Sequence, residues 1–381
     1  MAITQNYVDY GAGNDTTGDG TVGTPWKTLQ KAFDTCTRNA TDGNQINLKA
    51  GTAHVNAAAL DLTTFVAGGA LSVTAPLIVR GYTSAANDGG MGEIDCGGLT
   101  MWASAAYSHI HMVDLEVHTF GDNHGVVLTT AFMHHCEVHK GASSPSGKYL
   151  ISFTGNYSTV SGCYVHDAGA GAARGISNGG GESSKTISNY ILLNTDTDGA
   201  GVGVLGAVVQ ANVILCKSTG ITGITGLAGS FLVGNVCYNT TAGTGRGIYT
   251  GTSDPRTFVL NNIICGWSGA GGDGIEAIGN QNIIGYNAFY NNTANYTVAD
   301  QTFINLTAND VALGADPFTD AANGDFSLTA GGKTALRGLG WPAAYLGAHA
   351  NTDGHVTIGA VQYGEAEAGG GGANPMHGKL G

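Results

Sequence analysis

The chain has 381 residues, 63 of them glycine, and its 28 acidic against 15 basic side chains give a formal net charge of −13. Charged residues make up 11% and hydrophobic residues 42%, the reverse of the balance that keeps a chain disordered. The basic residues form no cluster able to neutralise a phosphate backbone, and no apolar run approaches the roughly 20 residues that span a bilayer, so neither nucleic acid nor a membrane is an expected partner.

The opening Met1-Ala-Ile-Thr-Gln-Asn-Tyr-Val-Asp9 has no basic n-region and no apolar h-region, so no secretory signal is visible and folding in a cytoplasm is expected. Tyr7-Val8-Asp9 reads as a first strand, followed by a turn-rich stretch from Gly11 to Gly20. Thr24-Pro25-Trp26 then predicts a helix capped by Thr24, with Pro25 in its first turn and Trp26, Leu29 and Phe33 on one face. Such a helix would cover the end of a β stack, where an open edge invites aggregation. Residues 1–40 therefore read as an N-terminal strand and capping helix. Further short strands are expected at 45–48, 71–73, 77–80 and 93–95.

From about residue 108 to 292 the chain repeats itself at intervals of roughly 21 to 27 residues. The aligned segments start at Asp114, His135, Gly162, Asn189, Asn212, Asn235, Asn262 and Asn287, and each is a short apolar strand bounded by Gly, Asn, Ser or Asp. A repeat of this length predicts an all-β parallel solenoid, in which each unit buries its apolar face only by stacking on its neighbours. Strand signals return at 326–328 and 356–358. The expected organisation is a β-helix over 41–363 and a Gly-rich tail over 364–381. Seven cysteines, an odd number without any C-x-x-C pair, are expected as buried free thiols.

The opening Tyr7-Val-Asp, with Gly13-Asn-Asp-Thr16 and Gly23-Thr-Pro-Trp-Lys-Thr-Leu-Gln-Lys-Ala32, resembles the N-terminal signature of the pectin-lyase-like right-handed parallel β-helix superfamily. Ala315-Asp-Pro-Phe318, Ala322-Asn-Gly-Asp-Phe-Ser-Leu328 and Thr357-Ile-Gly-Ala-Val-Gln362 resemble its C-terminal coils. The column Asn189, Asn212, Asn235, Asn262, Asn287 is similar to the asparagine ladder of that superfamily. The resemblance implies the fold over residues 6–363 but no single activity, since the superfamily holds lyases, hydrolases, epimerases and non-catalytic phage proteins.

Side-chain alternation along the first three aligned strands places Leu115/Val117, Cys136/Val138 and Cys163/Val165 inward. Glu116/His118, Glu137/His139 and Tyr164/His166 then face out as a column with members about 5 Å apart. Eight of the twelve histidines lie between 109 and 166, among them His109, His111, His124, His134 and His135, with Asp167 close by. Three readings stay open: a metal held by converging imidazoles, acid–base catalysis by His and Tyr beside a carboxylate, and a polar ladder that contacts a partner. If the chain is an enzyme, His139, Tyr164, His166 and Arg174 are its candidate catalytic residues. Pectate lyases of the resembled superfamily use acidic calcium ligands and a basic residue, a pattern the six arginines here do not match. Asp196 and Asp198 imitate the aspartate pair of polygalacturonase-like hydrolases without the flanking motifs. Gly201–Gly206, Gly180–Thr186 and Asp15–Gly20 imitate nucleotide and calcium loops but fail on context.

The leading expectation is a phage-type virion structural protein, a capsid decoration or appendage subunit. It would be homotrimeric, bound to the major capsid protein, located in the virion after assembly in the host cytoplasm, without a cofactor, and able to present a glycan-binding surface. The alternative is a polysaccharide lyase or glycoside hydrolase acting on an acidic polysaccharide.

Overall fold

The computed structural model describes residues 3–121, 125–140, 148–167, 173–179, 183–194, 200–205, 207–227, 229–251, 257–278, 282–298, 304–337 and 339–340. The chain divides into two units, Met1–Tyr190 with Asn194–Asp196, and Ile191–Leu193 with Thr197–Gly381. Both are built from parallel strands stacked coil upon coil, and the fold is a right-handed parallel β-helix, the hand that parallel crossovers take almost without exception.

In the first unit, Thr4–Val8, Asn44–Lys49, Leu77–Tyr82, Ile110–Val113, Ala131–His134, Thr159–Ser161 and Lys185–Ile187 pair in parallel in that order as a first sheet. His54–Val55, Gly92–Asp95, Leu115–His118, Glu137–Lys140 and Tyr164–Asp167 form a second. Val126–Leu128, Lys148–Phe153 and Ala173–Asn178 form a third. A full coil thus holds three strands, where the sequence signals one. Ile46, Val79, Met112, Met133 and Val160 lie in register on the first sheet, and Ile94, Val117, Val138 and Val165 on the second; all are fully buried. Each such side chain contributes about 1.5–3 kcal/mol.

Helix α1 spans Leu29–Thr35, and its cap is Thr28, not Thr24. Thr28 Oγ1 accepts from Lys31 N at 3.1 Å, and the Asp15 carboxylate accepts from Lys27 N and Thr28 N at 2.7 and 3.0 Å. Trp26 cannot be helical because it bridges the first strand, donating from its N to Tyr7 O and accepting at its O from Asp9 N. The helix buries Leu29, Ala32 and Phe33 and packs against Thr4–Val8 and Asn44–Lys49. Leu29 N donates to Nε2 of buried His54 at 2.8 Å, so that imidazole is neutral, its pKa driven down to about 4 by desolvation. No strand forms at 71–73: Ser72 and Ala75 exchange backbone hydrogen bonds in a turn, leaving Val73 exposed. A second short helix, Thr63–Ala67, carries no sequence signal.

In the second unit the first sheet is Val208–Gln210, Phe231–Val233, Phe258–Leu260, Ile283–Gly285 and Ile304–Leu306. The second is Val213–Cys216, Val236–Asn239, Ile263–Cys265, Ala288–Tyr290 and Val311–Ala312. The third is Ala200–Leu205, Thr222–Leu227, Arg246–Thr250, Asp273–Ala277 and Ala294–Val298. Gly201, Gly223, Gly247 and Gly274 form one column of this third sheet, and Ile214, Cys237, Ile264 and Phe289 of the second sheet fill the space they leave. A Cβ on Gly247 would lie 2.2 Å from Ile264 Cγ2. An antiparallel pair, Phe318–Asp320 with Asp325–Leu328, and a third helix, Ala330–Leu336, complete the described part. The strand expected at 356–358 and the tail 364–381 lie outside the described residues. All seven cysteines are free thiols and six are buried. Among the described residues no helix is long and apolar enough to cross a membrane.

Eight corners from first to second sheet turn on one residue with φ between 52° and 65°: Asp114, His135, Gly162 and Ser188 in the first unit, Ala211, Gly234, Asn261 and Tyr286 in the second. For a non-glycine this left-handed conformation costs roughly 1–2 kcal/mol. The next residue points inward, and there sit Asn189, Asn212, Asn235, Asn262 and Asn287, all buried. Cys163 N donates to Asn189 Oδ1 at 2.9 Å, so within the first unit Asn189 shares its column with Cys163, Cys136 and Leu115. Asp114, His135 and Gly162 belong one position earlier, in the corner. The sequence alignment is one residue out here because the corner tolerates Asp, His, Gly, Ser, Ala, Asn and Tyr alike.

The second unit's asparagines satisfy one another. Asn235 Oδ1 accepts from Asn212 N and Nδ2 at 3.1 and 3.0 Å, Asn262 Oδ1 from Asn235 N and Nδ2 at 3.0 Å each, and Asn287 Oδ1 from Asn262 N and Nδ2 at 3.0 and 3.1 Å. Asp310 ends the series: its Oδ1 accepts from Asn287 N at 2.8 Å and its Oδ2 from Tyr296 OH. Burial raises its pKa from 3.8 to about 6, against the opposing effect of those two hydrogen bonds.

Asn235→Ala strips partners from buried groups on two neighbouring coils and is expected to lower the unfolding free energy by about 2 kcal/mol or more, measured by denaturant titration. Because the Asp310 pKa is raised on folding, its protonated form favours the native state. That contribution is complete below about pH 3.8 and is lost as pH rises through about 6. Asp310→Asn, which keeps the acceptor for Asn287 N, is expected to raise Tm at pH 8 relative to wild type and to leave Tm little changed at pH 3.5, read by circular dichroism.

Candidate functional site

The second sheet of the first unit carries four consecutive strands in which buried Ile94, Val117, Val138 and Val165 separate two outward positions. Parallel pairing in register sets Glu93, Glu116, Glu137 and Tyr164 in one column, and Asp95, His118, His139 and His166 in the next. Carboxylate and imidazole do not pair within a strand. They pair across coils: His118 Nε2 with Glu93 Oε1, His139 Nε2 with Glu116 Oε1, and His166 Nε2 with Glu137 Oε1, each at 3.0 Å. The imidazoles stack, with centroids 5.1 Å apart for His118–His139 and 4.7 Å for His139–His166, at interplanar angles of 13° and 11°. Tyr164 stacks on His166 at 4.2 Å and tilts against Tyr190 at 5.5 Å. The imidazoles are 14–19% exposed and the carboxylates 29–33%, so the strip is reachable from solvent along its length.

A carboxylate only accepts, so each 3.0 Å contact places a proton on Nε2, and in the neutral ring Nδ1 is then the lone-pair nitrogen. For His118 that nitrogen accepts from Thr119 Oγ1 at 2.7 Å. For His139 it is buried and has no hydrogen-bond partner among the described residues.

Glu116, His118, Glu137, His139, Tyr164 and His166 are therefore brought together. Glu93 joins them as the partner of His118, a residue that sequence reasoning assigned only to a strand. Its signal was present, since Glu93-Ile-Asp95 alternates as Glu116-Val-His118 does. The wider histidine cluster is dispersed. His111 and His134 stand on the outer face of the first sheet, and burial lowers the His111 pKa. His135 sits in a corner and contacts Asp114 at 2.7 Å, where Arg80 also binds at 3.1 Å. Arg174 belongs to the third sheet, with its guanidinium 5.6 Å from the centre of the Tyr149 ring, not to the sheet of the ladder. His124, Asp196 and Asp198 lie outside the described residues, as does the side chain of Asp167.

Two sets of side chains can each offer three ligand atoms within 4.8 Å of one another: Glu137, His139 and His166, and Glu93, Glu116 and His118. The first, with two imidazoles and one carboxylate, suits a borderline transition metal, whereas calcium prefers oxygen alone. Without an ion, each Glu–His pair can hold and return a proton.

No family model matches the sequence, and no curated protein matches it. Solved structures do. The chain is similar to a pectate lyase, Pel9A, with a TM-score of 0.59 at 13% identity over 95% of this chain and 97% of that one. A structure titled as a glycoside hydrolase matches with a TM-score of 0.56 at 9% identity, over 87% and 100% of the two chains. XylC in complex with xylose matches with a TM-score of 0.52 at 11% identity, over 77% and 70%. At these identities the likeness is one of fold, a right-handed parallel β-helix.

In its neutral form, His139 is expected as the Nε2–H tautomer, read from imidazole ¹⁵N chemical shifts. Glu116→Gln, which can no longer accept from that N–H as a carboxylate, should bring the tautomer ratio toward that of free imidazole, and a ratio unmoved by the substitution would contradict the pairing.

Proposed function

We propose that this chain cleaves a polysaccharide laid along the outer face of the second sheet in its first unit. The observation that carries this reading is the continuous file of three Glu–His pairs at coil spacing beside the Tyr164 ring. Glycosidic cleavage needs one group to give a proton to the leaving oxygen and another to take one, and it needs the sugar held still. A row of proton-holding pairs meets the first need, and a tyrosine face against a sugar ring serves the second.

Glu93 and Glu116 place carboxylate oxygens within 4.8 Å of each other. That is nearer the roughly 5 Å between the two carboxyl groups of retaining glycosidases than the wider gap of inverting ones. The carboxylates of Glu93, Asp95, Glu116 and Glu137, on one strip of a chain with net charge −13, repel a uronate polymer at neutral pH. Hydrolysis of a neutral glycan is therefore favoured over elimination on an acidic one. The fold neighbours support a carbohydrate-directed reading by their titles, which name a pectate lyase, a glycoside hydrolase and a xylose complex. Nothing observed favours the virion-subunit reading over it.

A panel of neutral and acidic polysaccharides, assayed for new reducing ends and for unsaturated products by absorbance, tests the proposal. Reducing ends from a neutral glycan are expected. Glu116→Gln should lower kcat at least about 100-fold, while Tyr164→Phe keeps most activity and Tyr164→Ala raises KM. A folded protein that cleaves no member of the panel, or whose activity survives Glu93→Gln/Glu116→Gln unchanged, refutes it.

A further inference from the structure

The geometry points to a divalent transition-metal site, of the kind zinc takes, formed by Glu137, His139 and His166, with Glu116 as the outer partner that orients His139. Three independent features lead there. Glu137 and His139 are two residues apart on one strand, hence on the same face, and in-register pairing sets His166 directly beside His139 on the next coil. His166 Nε2 and Glu137 Oε1 are 3.0 Å apart across a hydrogen bond, close enough for both to reach one ion at about 2.1 Å once the proton between them has left. Third, Glu116 accepts the Nε2 proton of His139 and so orients that ring, whose buried Nδ1 has no hydrogen-bond partner among the described residues, and one ligand atom from each of Glu137, His139 and His166 lies within 4.8 Å of the others. A carboxylate holding the far nitrogen of a ligating histidine is the usual way such a ring is fixed and made more basic.

Two nitrogens and one oxygen leave coordination positions for water or a ligand oxygen, and they select zinc, nickel or cobalt over calcium and magnesium. Binding replaces the proton shared by His166 and Glu137, and that proton leaves to solvent. The neighbouring set, Glu93, Glu116 and His118, is the poorer one. It offers a single nitrogen, whose ring is held on both sides by Glu93 and Thr119, and its Glu116 already serves His139. The Glu93–His118 pair therefore stays a proton carrier beside the ion. The inference deepens the proposed glycan-cleaving face but does not require it, because ion binding is measured without glycan.

Chelator-treated full-length protein is titrated with zinc chloride by calorimetry, and with cobalt(II) chloride followed by visible absorption. One zinc ion per chain, a cobalt band saturating at one equivalent and no heat from calcium chloride are expected. His139→Gln and His166→Gln should each weaken zinc binding by at least about tenfold, and Glu116→Gln by about 10–100-fold, with circular dichroism reporting that each variant is folded. Glu137→Gln, which changes no ring stack, serves if a histidine variant fails to fold, and is expected to weaken zinc to a similar degree. Wild-type protein that binds no zinc overturns the inference, as does unchanged affinity and stoichiometry in His139→Gln/His166→Gln. Glycan cleavage by protein that binds no zinc overturns the inference and spares the proposed activity. Zinc binding without cleavage of any glycan does the reverse.

Discussion

Parallel pairing in register fixes every side chain of a coil at about 4.8 Å from its counterpart one coil away. Both notable features of this protein follow from that spacing. Inward, it is the right distance for one asparagine amide to satisfy the next, which resolves the buried backbone groups that left-handed corners would otherwise leave without partners. Outward, it lets imidazole rings stack face to face and lets a glutamate on one coil reach a histidine on the next. A single geometric rule thus produces a structural ladder in the second unit and a chemical one in the first.

The chemical ladder is not explained by stability. Part-exposed ion pairs contribute little, typically under 1 kcal/mol. Stacking three imidazoles invites mutual repulsion whenever more than one is protonated, and the carboxylates only offset it. An apolar or threonine column would stack as well at lower electrostatic cost. A run of like pairs, each holding a proton in a fixed place and open to water on one side, is what the proposed glycan-cleaving and ion-binding roles would use.

How much of this was legible beforehand follows from how loudly each element speaks. The repeat, the second-sheet strands and their facing were readable because Leu-Glu-Val-His and its relatives alternate cleanly. First-sheet strands of three residues are too short to show a period, and third-sheet strands such as Thr222–Leu227 carry glycine where a strand signal wants a branched side chain. The one-residue slip at Asp114, His135 and Gly162 arose because a corner that accepts seven residue types leaves no mark of its own. Helix α1 was placed too early because Pro25 and Thr24 imitate a helix start, while the deciding contacts, Trp26 with Tyr7 and Asp9, come from a strand far back in the chain. Glu93 was overlooked for a related reason: its partner is 25 residues on, and only the coil register joins them. The tautomer of His139 is beyond any sequence, since it depends on one carboxylate in the coil before.

The glycine column of the second unit has a consequence for how this chain can vary. At Gly201, Gly223, Gly247 and Gly274 the third sheet lends its volume to Ile214, Cys237, Ile264 and Phe289 opposite, and at Gly247 even one added carbon would collide with Ile264. The two walls share a fixed allotment of space on every coil. Descendants that acquire a methyl group on one wall must shed bulk from the other in the same lineage, so these eight positions should drift through evolution as four locked couples.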